Sequence, residues 1–273
     1  MWGRLRAVAA AAARRLRGRD VALHAAAVTF YGAVAVVPVV LLATWLAGLV
    51  GGAERVRRLG GYAVDALPTA IGADRVVAAL LRAGLDLTPM LALAALLPAT
   101  FYGEGLRRAF ASIAGSGGAQ RLIGWRGRLR LVPLLALTPA LLLAVLATLP
   151  LTTRLVGRGG WSGVLGVVLS FLACWLALTP VLFWVYRVVA PGDTGWPATA
   201  LVGSFTAANI SGFLHGLVLF AALPLDLGLP FGGLDAVGAA VALLLWLYLF
   251  HVIVLVGYAT TLAAASPDVT RDR

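Results

Sequence analysis

Few side chains in this sequence can do chemistry, and those few are scattered through long apolar runs. The three histidines, His24, His215 and His251, each stand in a different run, and their spacing matches no HExxH arrangement. The single cysteine, Cys174, has no partner for a disulfide within the chain and no CxxC companion for a metal. A metal site would need the histidines to converge from three separate helices, which makes it a weak signal. No GxSxG nucleophile turn occurs, and a GxxxxGK(S/T) phosphate loop is excluded because the chain has no lysine. The residue types point away from an enzyme, and no cofactor or metal is expected.

Polar groups inside membrane-length apolar runs need partners or water, which makes them the natural candidates for a path through a bilayer. His24, Tyr31 and Pro38 recur at seven-residue steps on one face of the first run, with Thr29 nearby. Proline removes a backbone donor and kinks a helix, so this face either opens a local cavity or is a packing kink with an interfacial His and Tyr. Glu104 is the one acid placed away from the ends of the expected spans. It reads either as a carboxylate that carries a coupling proton or as one member of an intrahelical ion pair, since Arg107 and Arg108 follow three and four residues on.

Asn209, Ser211, Gly212, His215 and Gly216 cluster in a later run. Gly212 and Gly216 form a small-xxx-small step that permits close helix packing, and Asn209 on their face offers either a substrate contact or an interhelical hydrogen bond. In the last run Tyr248, His251, Leu255 and Tyr258 fall on a seam at spacings of three, four and three, which should face the bundle. The candidates for a substrate path are therefore His24, Tyr31, Pro38, Glu104, Asn209, His215, Tyr248 and His251.

The elements that must position these residues are membrane helices. With 61% hydrophobic and 12% charged residues and a mean hydropathy of +0.95, the chain is far more apolar than a soluble globular domain. The stretch Ala25–Val50 runs 26 residues without an Asp, Glu, Arg or Lys. As a helix it would reach roughly 39 Å, more than the roughly 30 Å hydrocarbon core of a bilayer. The fold class expected is all-α, a polytopic membrane bundle of six transmembrane helices at about 25–50, 87–110, 131–151, 161–186, 196–223 and 234–265. The second span is short on its own and needs the continuation through Phe110 to cross.

Residues 1–23 read as a cytoplasmic interfacial helix, with Leu5, Val8, Ala9, Ala12 and Leu16 on one face. The apolar run Ala7–Ala13 ends at Arg14 and Arg15, so the first span reads as an uncleaved signal anchor. Residues 51–86 carry five arginines and four acids, with Val76, Val77, Leu80 and Leu81 at helical spacing behind Asp74. This segment should form short amphipathic helices folded against the external face, and 266–273 should be a cytoplasmic tail.

Counting arginines on alternate sides gives fifteen with the N-terminus, including Arg121, Arg271 and Arg273, against seven on the other side. Both termini are therefore expected in the cytoplasm. Trp125, Trp161, Trp184 and Trp196 lie near expected span ends, where indoles prefer to be. The same bias accounts for the basic segment RLIGWRGRLR at 121–130, so no nucleic acid partner is expected.

Several blocks carry a resemblance. HAAAVTFYGAVAVVPVVLLATWLA, from His24, resembles the opening of the YihY/BrkB family of bacterial inner-membrane proteins: an Ala-rich start, an aromatic pair and a Pro about seven residues later. LLLWLYLFHVIVLVGYATTLAA resembles that family's closing Leu-Trp-Leu-Tyr block followed by a Gly. FYGEGLRRAF is similar to the basic end of its second span, and YRVVAPGDTGWPATALVGSFTAA to the segment before its fifth. The likeness covers about Asp20–Ala265. It departs where the family usually has an acid after the final Gly, since Gly257 is followed here by Tyr258.

The resemblance implies a six-helix protein of the bacterial inner membrane, in a family with suggested roles in transport, envelope lipid traffic and serum resistance. An older description of the family as a ribonuclease finds no support in these residues. The expected function is a transporter or flippase of a lipid or amphipathic envelope molecule, with membrane lipids as partners. The alternative is a non-transporting envelope scaffold that holds envelope proteins through residues 51–86.

Overall fold

The structure is a computed structural model in which residues 2–69, 72–116, 125–192 and 194–266 are described. All regular elements among them are helical: α1 (Trp2–Leu16), α2 (Val21–Gly51), α3 (Ala53–Asp65), α4 (Ala73–Leu85), α5 (Pro89–Ala114), α6 (Trp125–Gly157), α7 (Gly160–Trp184), α8 (Trp196–Ala221) and α9 (Asp235–Ala264). A π-helical turn, Val185–Val189, continues α7, and a 3-10 turn, Leu229–Phe231, precedes α9. Arg121 and the tail arginines Arg271 and Arg273 lie outside the described residues.

Five helices are long and apolar enough to cross a membrane among the described residues: α2, α6, α7 with its π turn, α8 and α9. The expected second span, α5, is not one of them. It has the same 26 residues as α8, but its C-terminal half holds Glu104, Arg107 and Arg108. Gly103, Glu104, Gly105, Leu106, Ala109, Phe110 and Ile113 of that half are all buried against other helices. Polar groups are tolerated at membrane depth where protein rather than lipid surrounds them, and α5 packs between α2 and α6. The opposite case is α7, of whose most apolar window only 6% is buried within the chain. Val164, Leu165, Val167 and Val168 point outward, as a lipid-facing helix requires.

The main core gathers where α5, α6, α8 and α9 converge on the π turn. Phe110 packs on Tyr258 with ring centroids 4.5 Å apart and on Tyr186 at 6.0 Å. Both tyrosines find acceptors, as buried hydroxyls must. Tyr186 donates to the Val254 carbonyl at 2.8 Å, and Tyr258 donates to the Pro191 carbonyl. The residue before Tyr258 is glycine because a Cβ there would lie 2.4 Å from both the Thr206 and the Tyr186 hydroxyl oxygens.

The peripheral helices use their apolar faces. In α3, Val56 and Leu59 pack on Ala47 and Leu146, while Gly60 admits Leu81 of α4 and Gly84 of α4 admits Thr44. Asp74 stands in the first turn of α4, where the helix dipole favours an acid. The outward sides carry Arg55, Arg57, Arg58, Arg75 and Arg82, with Glu54 bonded to Arg57 at 2.6 Å. At the other end α1 docks against α9, burying Ala12 and setting Arg15 within 2.8 Å of the Ser266 hydroxyl.

Candidate functional site

His251 sits on the inner side of α9 and is only 2% exposed. The Thr29 hydroxyl donates to the Ala25 carbonyl at 2.8 Å, which leaves its oxygen to accept, and His251 Nδ1 lies 3.0 Å away. On the other side of the ring, Nε2 lies 3.0 Å from the Tyr102 hydroxyl. One consistent direction follows: Nδ1–H donates to Thr29, and Nε2 accepts from Tyr102. A neutral imidazole thus joins α2, α5 and α9 with every ring nitrogen satisfied. Gly32 makes the approach possible, because a Cβ there would stand 3.0 Å from the ring. His251→Ala strands the Tyr102 hydroxyl and opens a cavity, so it should destabilise the protein by about 2–4 kcal/mol, read as a lowered thermal midpoint in detergent.

Glu104, 3% exposed, is held by two guanidiniums. Arg108, one turn on, reaches one carboxylate oxygen at 2.6 Å, and Arg128 of α6 reaches the other at 2.6–2.7 Å through two nitrogens. Arg128 itself stacks over the Phe101 ring at 4.3 Å and near Trp125 at 5.2 Å. Of the two arginines expected to pair with Glu104 on its own helix, Arg108 does so. Arg107 turns instead to the Val189 carbonyl at 3.0 Å. The partner that sequence spacing could not supply is Arg128, 24 residues away.

The remaining candidates lie apart. His24 bonds the Asp20 carbonyl at 2.6 Å at the start of α2, Tyr31 lays its ring over the Gly105 backbone, and Pro38 is half-buried inside α2. Tyr248 packs at the edge of the main core. His215 bonds the Ser211 carbonyl at 2.8 Å and the Ser170 hydroxyl at 3.1 Å, tying α8 to α7. Among the described residues no group of three or more His, Cys, Asp or Glu comes together as a metal ion would need.

Asn209 stands elsewhere, on the outer seam between α8 and α9. Val202, Phe205, Thr206, Asn209, Gly212, Phe213 and Gly216 follow one another at steps of one or three along one stripe of α8. With Trp246, Val252, Val256 and Thr260 of α9 they line two open hollows, of about 530 and 240 Å³, that share Asn209. From Val202 to Gly216 the groove runs about 21 Å along the helix, roughly two thirds of a hydrocarbon core. Gly216 brings α8 close to Trp246, to which a Cβ would stand at 3.3 Å, whereas Gly212 is exposed and a Cβ there would meet only the Phe171 ring of α7, at 3.9 Å.

No lining residue is ionisable. The polar ones are Thr206, whose hydroxyl bonds the Val202 carbonyl at 2.8 Å, Thr260, which bonds Val256 at 2.8 Å, and Asn209. The Asn209 amide donates to the Phe205 carbonyl at 2.8 Å, and its side-chain oxygen has no hydrogen bond among the described residues. That oxygen is an available acceptor near the middle of α8. Phe213, Phe220 and Phe250 surround Trp246 at centroid distances of 6.0–6.4 Å and fix it in place. The small-xxx-small spacing announced the α8 side of this groove, but Trp246 and Thr260 gave no comparable signal. His251 and Asn209 therefore do not share a path: His251 faces α2 and α5, while its neighbours Val252 and Ile253 face the groove.

Comparison with known proteins agrees with this architecture. Neither a curated protein nor a solved structure matches the chain. A family model described as virulence factor BrkB matches residues 12–272, nearly all of it. A bundle of long apolar helices matched over that extent identifies a membrane protein belonging to the BrkB, or YihY, family.

Proposed function

We propose that this BrkB family member moves a lipid or another amphipathic molecule between the leaflets of the bacterial inner membrane, along the α8–α9 groove. The observation that carries the reading is a laterally open groove, most of a bilayer core in length, with a free amide oxygen near its middle. A polar head group loses several kcal/mol when it leaves water for hydrocarbon without a partner. Asn209 of α8 and Thr260 of α9, both partly exposed, offer that head group hydrogen bonds from the two walls of the groove, while its acyl tails stay in lipid. The groove carries no acid, and Glu104 is already held by Arg108 and Arg128. These features favour movement down a gradient over coupling to protons.

Both termini belong on the cytoplasmic side in this reading, supported by the fifteen-to-seven distribution of arginines. Asn209→Leu removes the mid-depth acceptor without touching a buried partner. It should slow protein-dependent exchange of a head-group-labelled phospholipid in proteoliposomes about tenfold, since one hydrogen bond is worth roughly 1–1.5 kcal/mol, and leave the thermal midpoint nearly unchanged. A rate equal to that of the unsubstituted protein would remove Asn209 from the path.

A second reading, an envelope scaffold, is favoured by the outward faces of α3 and α4, whose arginines Arg55, Arg58 and Arg75 make no ion pair among the described residues. It expects Arg55→Gln with Arg58→Gln to abolish the cellular role while the Asn209 variant retains it.

A further inference from the structure

The groove does not involve the arginines gathered where α5 and α6 meet the π turn. Arg126, Arg128 and Arg130 occupy the first two turns of α6, with no acid in the first turn. Helix N-termini carry partial positive charge, so three cations there are electrostatically unfavourable unless an anion is near. Arg128 has one in Glu104. Arg107, Arg126 and Arg130 have none: no carboxylate pairs with them among the described residues, and the charges of Arg126 and Arg130 both bear on Arg107. Arg107 and Arg130 each spend one nitrogen on the last carbonyls of the π turn, Val189 at 3.0 Å and Val188 at 2.9 Å. These bonds fix the two guanidiniums and leave most of their donors unused.

The surroundings say what kind of anion fits. Arg126, Leu129, Arg130, Pro133 and Leu137 follow one another at steps of three, one, three and four on one exposed face of α6. The charges stand at the end of that face, and the exposed apolar residues continue from them along the helix. Two indoles border the charged end: Trp125 is exposed, and Trp184 donates to the Arg130 carbonyl at 2.9 Å. Indoles favour the head-group level of a bilayer. Cations at that level above an apolar stripe match a phosphate attached to acyl chains, and Arg forks bind phosphate in pairs of hydrogen bonds. We infer that Arg107, Arg126 and Arg130 form a docking site for the phosphate of an anionic phospholipid at the membrane surface. The site is separate from the α8–α9 groove and stands whether or not that groove conducts.

The test is native mass spectrometry of the detergent-purified protein after addition of equimolar phosphatidylglycerol and phosphatidylcholine with identical chains. The unsubstituted protein should retain phosphatidylglycerol preferentially. Arg126→Gln, which breaks no hydrogen bond, should reduce that preference severalfold, and Arg126→Gln with Arg130→Gln about tenfold. Arg55→Gln with Arg58→Gln, which removes the same net charge from α3, should leave it unchanged. Equal retention of the two lipids by the unsubstituted protein would overturn the inference. So would an equal loss in the α3 control, or complete displacement of phosphatidylglycerol by excess inorganic phosphate, which would mark a site for the free ion.

Discussion

A single methyl group added at Gly127 is expected to prevent α5 and α6 from packing. An ideal Cβ there would lie 2.4 Å from the Gly103 carbonyl oxygen and 2.9 Å from the Glu104 Cα; one at Gly103 would lie 2.4 Å from the Gly127 carbonyl oxygen. Both obstacles are backbone, so no rotamer change relieves them, and the helices must separate. Separation would also pull Arg128 from Glu104 and shift Leu131 in the main core. Overpacking typically costs about 1–3 kcal/mol, and a rigid backbone obstacle puts Gly127→Ala at or beyond the top of that range. Gly61→Ala is the control, since a Cβ at Gly61 meets nothing within 4 Å. Size-exclusion yield and thermal midpoint in detergent should fall sharply for the first and hold for the second.

Glu104→Gln should lower stability by about 3–5 kcal/mol, the range for removing one partner of a buried ion pair. The cost arises because Arg128, with its side chain 14% exposed, and Arg108 lose their shared counterion. Combining Glu104→Gln with Arg128→Met should recover part of that loss, because the most buried uncompensated cation is then gone. This double substitution also separates two roles for Glu104. If the carboxylate only joins α5 to α6, lipid movement per folded molecule is unchanged in the rescued protein; if it carries a coupling proton, movement is lost despite the rescue.

The membrane helices were legible because a charge-free run such as Ala25–Val50 has few other fates. The amphipathic helix α4 was legible too, since Val76, Val77, Leu80 and Leu81 repeat at helical spacing. α5 was the hardest, and the structure supplies the reason: its C-terminal half is buried by protein, so it needs less hydropathy than a lipid-facing helix such as α7. Contacts between distant residues left no local trace. Arg128 meets Glu104 across 24 positions and Tyr102 meets His251 across 149, and neither partner differs in type from its neighbours. The seam containing Tyr248, His251 and Tyr258 does face the bundle. That Asn209 lies on the other side of α9 from His251 depends on how α8 packs, which periodicity along one helix does not encode. Gly212 and Gly216 suggested close packing, yet only Gly216 closes on α9, and the space over Gly212 becomes the groove.

That space offers the most direct test of the central claim. Gly212→Trp should put an indole into it, since Gly212 is exposed and lines the hollow, and its Cβ would meet only the Phe171 ring of α7, at 3.9 Å. The measurement is the time course over which a head-group-labelled phospholipid in the inner leaflet of proteoliposomes becomes accessible to an external quencher. The unsubstituted protein should speed this well beyond protein-free vesicles, and Gly212→Trp, with an unchanged thermal midpoint, should return it to the protein-free rate. Equal rates with and without the plug, or no acceleration by the unsubstituted protein, would contradict the assignment of the α8–α9 groove as a lipid path.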